Sequence, residues 1–157
     1  MPMIPTAIYQ LCEEKLTARY TLISRANDRL KEARARACTV QGMAADPNGG
    51  SHGSGRGDAL ERKTIAVLEA ETGLRAALRW DDVMHRLDRL FPPESKEGTI
   101  AGYLYGWTMH RPLTQEEVCR ILDVERKTVR KYRDTVVINC ALLAAAAGLV
   151  DMEERDT

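Results

Sequence analysis

Five bases, Arg126, Lys127, Arg130, Lys131 and Arg133, fall within eight consecutive positions that hold no acid, with Thr128 among them. Guanidinium and ammonium groups at that density suit the neutralisation of a row of phosphates, and they would do so on one helix if the segment is helical. The patch is local. Lys plus Arg and Asp plus Glu both number 23, so the net charge is zero and no whole-chain field draws the protein to nucleic acid or to an anionic membrane.

The elements that would present these bases begin just upstream. Thr114 with Glu117 three positions later has the capping-box pattern, which sets the start of a short helix with Val118, Cys119, Ile121 and Leu122 on its inner face. A turn at Asp123-Val124 follows, and a second helix runs from Arg126 to about Ala147 with Val129 and Tyr132 facing inward. The stretch from Leu113 to Tyr132 resembles the helix-turn-helix family. That pattern wants a small residue where Cys119 stands, a residue tolerant of left-handed backbone where Asp123 stands, and apolar side chains at Val118, Leu122, Val124 and Val129. Two positions depart from it: Asp123 replaces the commoner glycine, and Glu125 replaces the Ser or Thr that usually caps the second helix. The resemblance implies that the second helix enters the major groove of double-stranded DNA, with Arg126, Lys127, Thr128, Arg130, Lys131 and Arg133 as the DNA-binding set.

The rest of the chain reads as all-α. Hydrophobic residues make up 44% and charged residues 29% of the 157, aromatics only 5%, and β-branched residues never alternate with polar ones over a strand's length. Cys12, Leu16, Ile23, Ala26, Leu30, Ala33 and Ala37 follow a 4-3 spacing interrupted by Arg19, which predicts one long helix over residues 7–39. At about 1.5 Å per residue such a helix exceeds the width of a small domain, so it must fold back or dimerise. Residues 41–57 contain the run AADPNGGSHGSGRG and read as a mobile loop. Its Arg56-Gly57-Asp58 tripeptide is a coincidence of composition. Asp58 is placed to cap a second long helix whose stripe is Val67, Ala70, Leu74, Ala77, Trp80, Met84, Leu87 and Phe91, ended by Pro92-Pro93. A third helix is expected from Lys96 to about His110. The expected layout is a long antiparallel helical hairpin over residues 1–92, a helix-turn-helix DNA-binding unit over 93–150, and a frayed acidic tail over 151–157.

This order resembles the small phage transcriptional regulators of the RinA and ArpU type, through Val40-Gln-Gly-Met43 opening the loop, the Tyr103-Leu-Tyr-Gly-Trp107 segment and the C-terminal motif. The C-terminal unit of that family is similar to region 4 of sigma factors. The resemblance implies a sequence-specific transcriptional regulator of phage or prophage origin, with double-stranded DNA as partner and RNA polymerase as a candidate second one. A small-terminase-like DNA-packaging protein is the alternative, although those proteins usually place the DNA-binding unit first. A structural helical oligomer without DNA binding is the third reading.

Enzymatic chemistry finds no support. His52, His85 and His110 have no metal-gathering spacing, no Ser or Cys sits in a nucleophile motif, and the loop glycines lack the strand and the Gly-Lys-Ser/Thr of a phosphate loop. No cofactor, metal or catalytic residue is expected. Cys12, Cys38, Cys119 and Cys140 form no CxxC pair and are expected as buried thiols. The 15-residue run from Val136 to Val150 is too short to span a bilayer, and the first residues lack a positive n-region, so a cytoplasmic protein is expected. That same run, apolar on nearly every face, suggests burial against a second chain in a homodimer.

Overall fold

The computed structural model of the chain describes residues 4–43 and 53–153. These form six helices, α1 (Thr6–Thr17), α2 (Leu22–Met43), α3 (Gly53–Leu90), α4 (Lys96–Leu104), α5 (Gln115–Leu122) and α6 (Arg126–Ala146), with no strand among the described residues. The protein is all-α. It divides into two compact units, one of Met1–Tyr20 with Arg79–Thr157 and one of Thr21–Leu78. Residues 6–20 therefore group with the C-terminal helices, and α3 contributes to both units.

In the first unit α6 touches α1, α4 and α5. Its buried stripe is Val129, Val136, Val137, Cys140, Ala141 and Ala144, which recur at helical spacing along one side. Against it lie Ile8, Cys12 and Leu16 of α1, Ile100, Ala101 and Leu104 of α4, and Val118 of α5, all buried, while Trp80, Val83, Met84 and Leu87 from the end of α3 complete the core. Each large aliphatic side chain so buried contributes about 1.5–3 kcal/mol relative to exposure. Most of residues 136–144 are thus covered within the chain, and among the large hydrophobic side chains of α6 only Leu142 stays about half exposed. The part of the apolar run from Val136 to Ala144 does not need a second chain to bury most of it.

The expected single first helix is instead two, because the chain turns at residues 18–21. The cause is Arg19. Its guanidinium is buried and donates both Nη groups to the Asp88 carboxylate, at 2.8 and 2.6 Å. It also lies 4.5 Å from the Trp107 ring centroid and 4.9 Å from that of Tyr20. Burial alone would make the guanidinium easier to deprotonate, but the hydrogen bond and charge of Asp88 outweigh it and hold the cation more firmly than usual. Trp107 Nε1 donates to the Leu16 carbonyl at 2.8 Å, capturing an acceptor that a continuing helix would have used for its own ladder.

The loop expected over 41–57 is also revised: residues 41–43 end α2 and residues 53–57 begin α3, so Asp58 does not cap that helix. Glycines cost about 1 kcal/mol each inside a helix, yet propagation from the Ala-, Leu- and Glu-rich body adds a hydrogen bond for every residue fixed. Residues 44–52 of the loop and 154–157 of the tail lie outside the described residues. In the second unit Ala26 and Leu30 of α2 and Ala77 of α3 are buried, Arg34 sits 3.5 Å from Glu71, and Lys63 Nζ donates to the Arg36 carbonyl at 3.3 Å. Of the four cysteines, Cys12 and Cys140 are buried as expected, with a hydrogen bond to Cys12 and then burial pushing the Cys140 thiol well above its ordinary range. Cys119 is partly exposed and Cys38 exposed, contrary to expectation, because Cys38 lies on the solvent side of α2.

After Pro92-Pro93, α4 starts at an N-cap, Ser95, whose hydroxyl accepts from the Gly98 amide at 3.0 Å. The helix expected to reach His110 stops at Leu104, where the chain turns through Gly106 at φ 82°. Gly98 is close-packed: a Cβ there would collide with the Pro92 carbonyl oxygen, whereas a Cβ on Gly73 in α3 would meet nothing within 4 Å. Gly98→Ala is therefore expected to destabilise the fold by about 2 kcal/mol or more, and Gly73→Ala to stabilise it by about 0.5–1 kcal/mol. Urea unfolding followed by circular dichroism measures both; equal effects from the two substitutions would contradict the close packing at Gly98.

Candidate nucleic-acid interface

The bases at the start of α6 are positioned by two hydrogen-bonded devices. In the first, Thr114 Oγ1 accepts from the Glu117 amide at 3.2 Å and Glu117 Oε1 accepts from the Thr114 amide at 3.3 Å, which completes the capping box. The Thr114 amide, and then the Arg111 guanidinium at 3.0 Å, hold the Glu117 carboxyl below its ordinary range. The second device is the turn. Asp123 ends α5 in left-handed backbone at φ 51° and ψ 53°, and the Val124 amide donates to the Cys119 carbonyl at 3.2 Å. Glu125 then takes extended backbone as the N-cap of α6 without a side-chain capping bond, so the Thr128 and Val129 amides rely on its carbonyl.

Val118 and Val129 are fully buried where α5 and α6 pack. Ile121, expected inside, is 49% exposed. Tyr132 is only partly buried. With Thr128, Leu122, Val124 and Ile100 it lines a cavity of about 280 Å³ under the turn.

The burial of Val129 sorts the sequence-predicted DNA-binding residues. Lys127, Arg130 and Lys131 are exposed and share one side of α6, at steps of three, one and four residues. Among the described residues neither Lys127 nor Arg130 has a salt-bridge partner, and Lys131 Nζ lies 5.9 Å from the Tyr132 ring. Arg126 is exposed but its guanidinium pairs with the Glu116 carboxylate across the turn. Thr128 faces the cavity. Arg133 is not brought to the others: its side chain is 26% exposed, lies 5.8 Å from the Tyr9 ring, and places Nη2 3.5 Å from Asp134.

Around Arg133 lies a polar cluster that sequence reading missed. Tyr9 donates its hydroxyl to Asp134 Oδ1 at 2.6 Å, and Tyr105 donates to Glu13 Oε2 at 3.1 Å. Burial, reinforced by these carboxylates, pushes both phenols far above their ordinary range, so both stay protonated donors. Arg133 Nε is buried without a partner. One signal was available: Arg133 stands four residues after Val129 and three before Val136, inside the stripe's own period. The Glu116–Arg126 pair left no comparable trace, because ten positions and a turn separate its partners.

Among the described residues no group of three His, Cys, Asp or Glu side chains is placed to hold a metal, and no helix is long and apolar enough to cross a membrane. Comparison with protein-family models, with curated proteins and with solved structures returns no match.

The left-handed turn supplies a direct check. Asp123→Gly removes the Cβ penalty of that backbone and is expected to raise stability by up to about 1 kcal/mol, while Asp123→Val is expected to lower it by about 1–2 kcal/mol. Denaturant midpoints of the two variants decide; a β-branched residue tolerated at this position would contradict the observed turn.

Proposed function

We propose that the chain is a DNA-binding regulator in which α5, the Asp123–Glu125 turn and α6 act as a helix-turn-helix, and the first two turns of α6 enter the major groove of double-stranded DNA. The observation that carries this reading is the set of exposed bases Lys127, Arg130 and Lys131 on one side of α6, all three free of ion pairs among the described residues. Cations left without carboxylate partners keep their full attraction for phosphate, and those at the start of a helix held by a capping box and a tight turn lose little freedom on binding. Glu116 competes with DNA for Arg126, so Arg126 contributes once that pair opens. Thr128 and Arg133 serve the interior of the unit.

In the same reading α2 and α3 form an antiparallel helical hairpin, supported by the Arg34–Glu71 and Lys63–Arg36 contacts. The resemblance to phage transcriptional regulators adds a phage or prophage origin and RNA polymerase as a second partner.

Fluorescence anisotropy with labelled duplex DNA across a salt series tests the proposal. Lys127→Ala with Arg130→Ala is expected to weaken binding and to reduce the magnitude of the slope of log K against log salt by about 0.9 for each phosphate no longer neutralised. Arg133→Ala is expected to lower stability and leave the slope unchanged. A folded double variant with unaltered affinity and slope would refute DNA recognition by this face.

A further inference from the structure

The outer side of α3 within the second unit is more apolar than a solvated helix requires. Leu60, Ile65, Leu68 and Leu78 are 44%, 46%, 54% and 50% exposed. They extend over about 27 Å of helix at 1.5 Å per residue. Thr64 and Thr72 lie between them, and each donates its hydroxyl to the carbonyl four residues earlier, Leu60 and Leu68, at 2.9 Å. Those hydroxyls are spent within the helix, so the strip offers water methyl groups in place of donors. The α2 side is distinct, since Arg62, Ala66, Glu69, Ala70 and Gly73 line a groove with α2 of about 550 Å³. A row of half-exposed large apolar side chains along one helix is a place where another surface can dock.

The charges on the strip select its occupant. Glu61 stands seven residues before Leu68 and Arg75 seven after it, both exposed, and neither has an ion-pair partner among the described residues. A helix that carries an acid and a base equally far from its central leucine is complementary to itself when reversed. A two-fold axis at Leu68 sets Leu68 against its own copy and Glu61 against Arg75 of the second chain, twice, and brings Leu60 near the second chain's Leu78. A parallel pairing would set Glu61 against Glu61, which repels.

We infer that the strip from Leu60 to Leu78 is a homodimer surface on which the α3 helices of two copies of this chain pack antiparallel about Leu68. This does not rest on DNA binding, and its test uses no DNA.

Light scattering of the full chain over a concentration series is expected to show a mass rising from 17.6 kDa toward twice that value in the micromolar range. Leu68→Glu, at a half-exposed position where folding tolerates it, is expected to leave the mass at 17.6 kDa throughout. Glu61→Arg alone and Arg75→Glu alone each place like charges opposite one another twice and are expected to weaken the dimer about tenfold or more. The double swap restores opposite charges and is expected to recover it. A wild-type chain that stays monomeric, a Leu68→Glu variant that still dimerises, or a double swap no better than its parents would each overturn the inference, and the first of these would leave the strip to a different partner.

Discussion

One face of α6 must be buried for the first unit to exist, and that constraint governs everything else in it. α1, α4 and α5 all pack on this helix, through a stripe that begins at Val129 and ends at Ala144. Fixing the stripe also fixes its complement, so the side of α6 that remains in water is decided by core packing. The bases left on that side, Lys127, Arg130 and Lys131, are there because Val129, Val136 and Val137 are not. Arg133 falls on the buried side and becomes part of a polar cluster with Tyr9 and Asp134. A similar logic applies to Arg19, whose burial between Tyr20 and Trp107 against Asp88 breaks the first helix and ties its end to the α3 and α4 segments.

Much of the fold was legible in the sequence because helical periodicity and caps are local signals. The start of α5 at Thr114, its end at Asp123, the start of α6 at Arg126 and the end of α3 before Pro92 all follow from neighbours within four residues. The failures share a different cause. Whether residues 7–39 are one helix or two depends on Asp88 and Trp107, which are roughly seventy and ninety positions from Arg19 in the chain. Likewise, the helical state of residues 53–57 is imposed by the helix that follows them, against the preference of their glycines.

The candidate site was legible as a density of charge and illegible as a surface. Counting bases between 126 and 133 treats them as equivalent, whereas packing divides them into exposed and unpaired, exposed and paired with Glu116, and half-buried. Only the last division left a trace, in the position of Arg133 within the apolar period. The neutral net charge takes on meaning at the same scale: acids such as Glu116 and Asp134 engage particular bases and leave others free, so a chain with no overall field can still present a small cationic face.

Burial of the Val129 stripe is proposed to turn the opposite side of α6 toward DNA. Backbone amide chemical shifts recorded while the folded protein is titrated with a short DNA duplex test it most directly, because every residue reports at once. A DNA-facing α6 predicts the largest changes from Glu125 to Lys131, with the amides of Tyr9, Arg133 and Asp134 nearly still. Changes concentrated on α2 or α3, or none at a large molar excess of DNA, would contradict it.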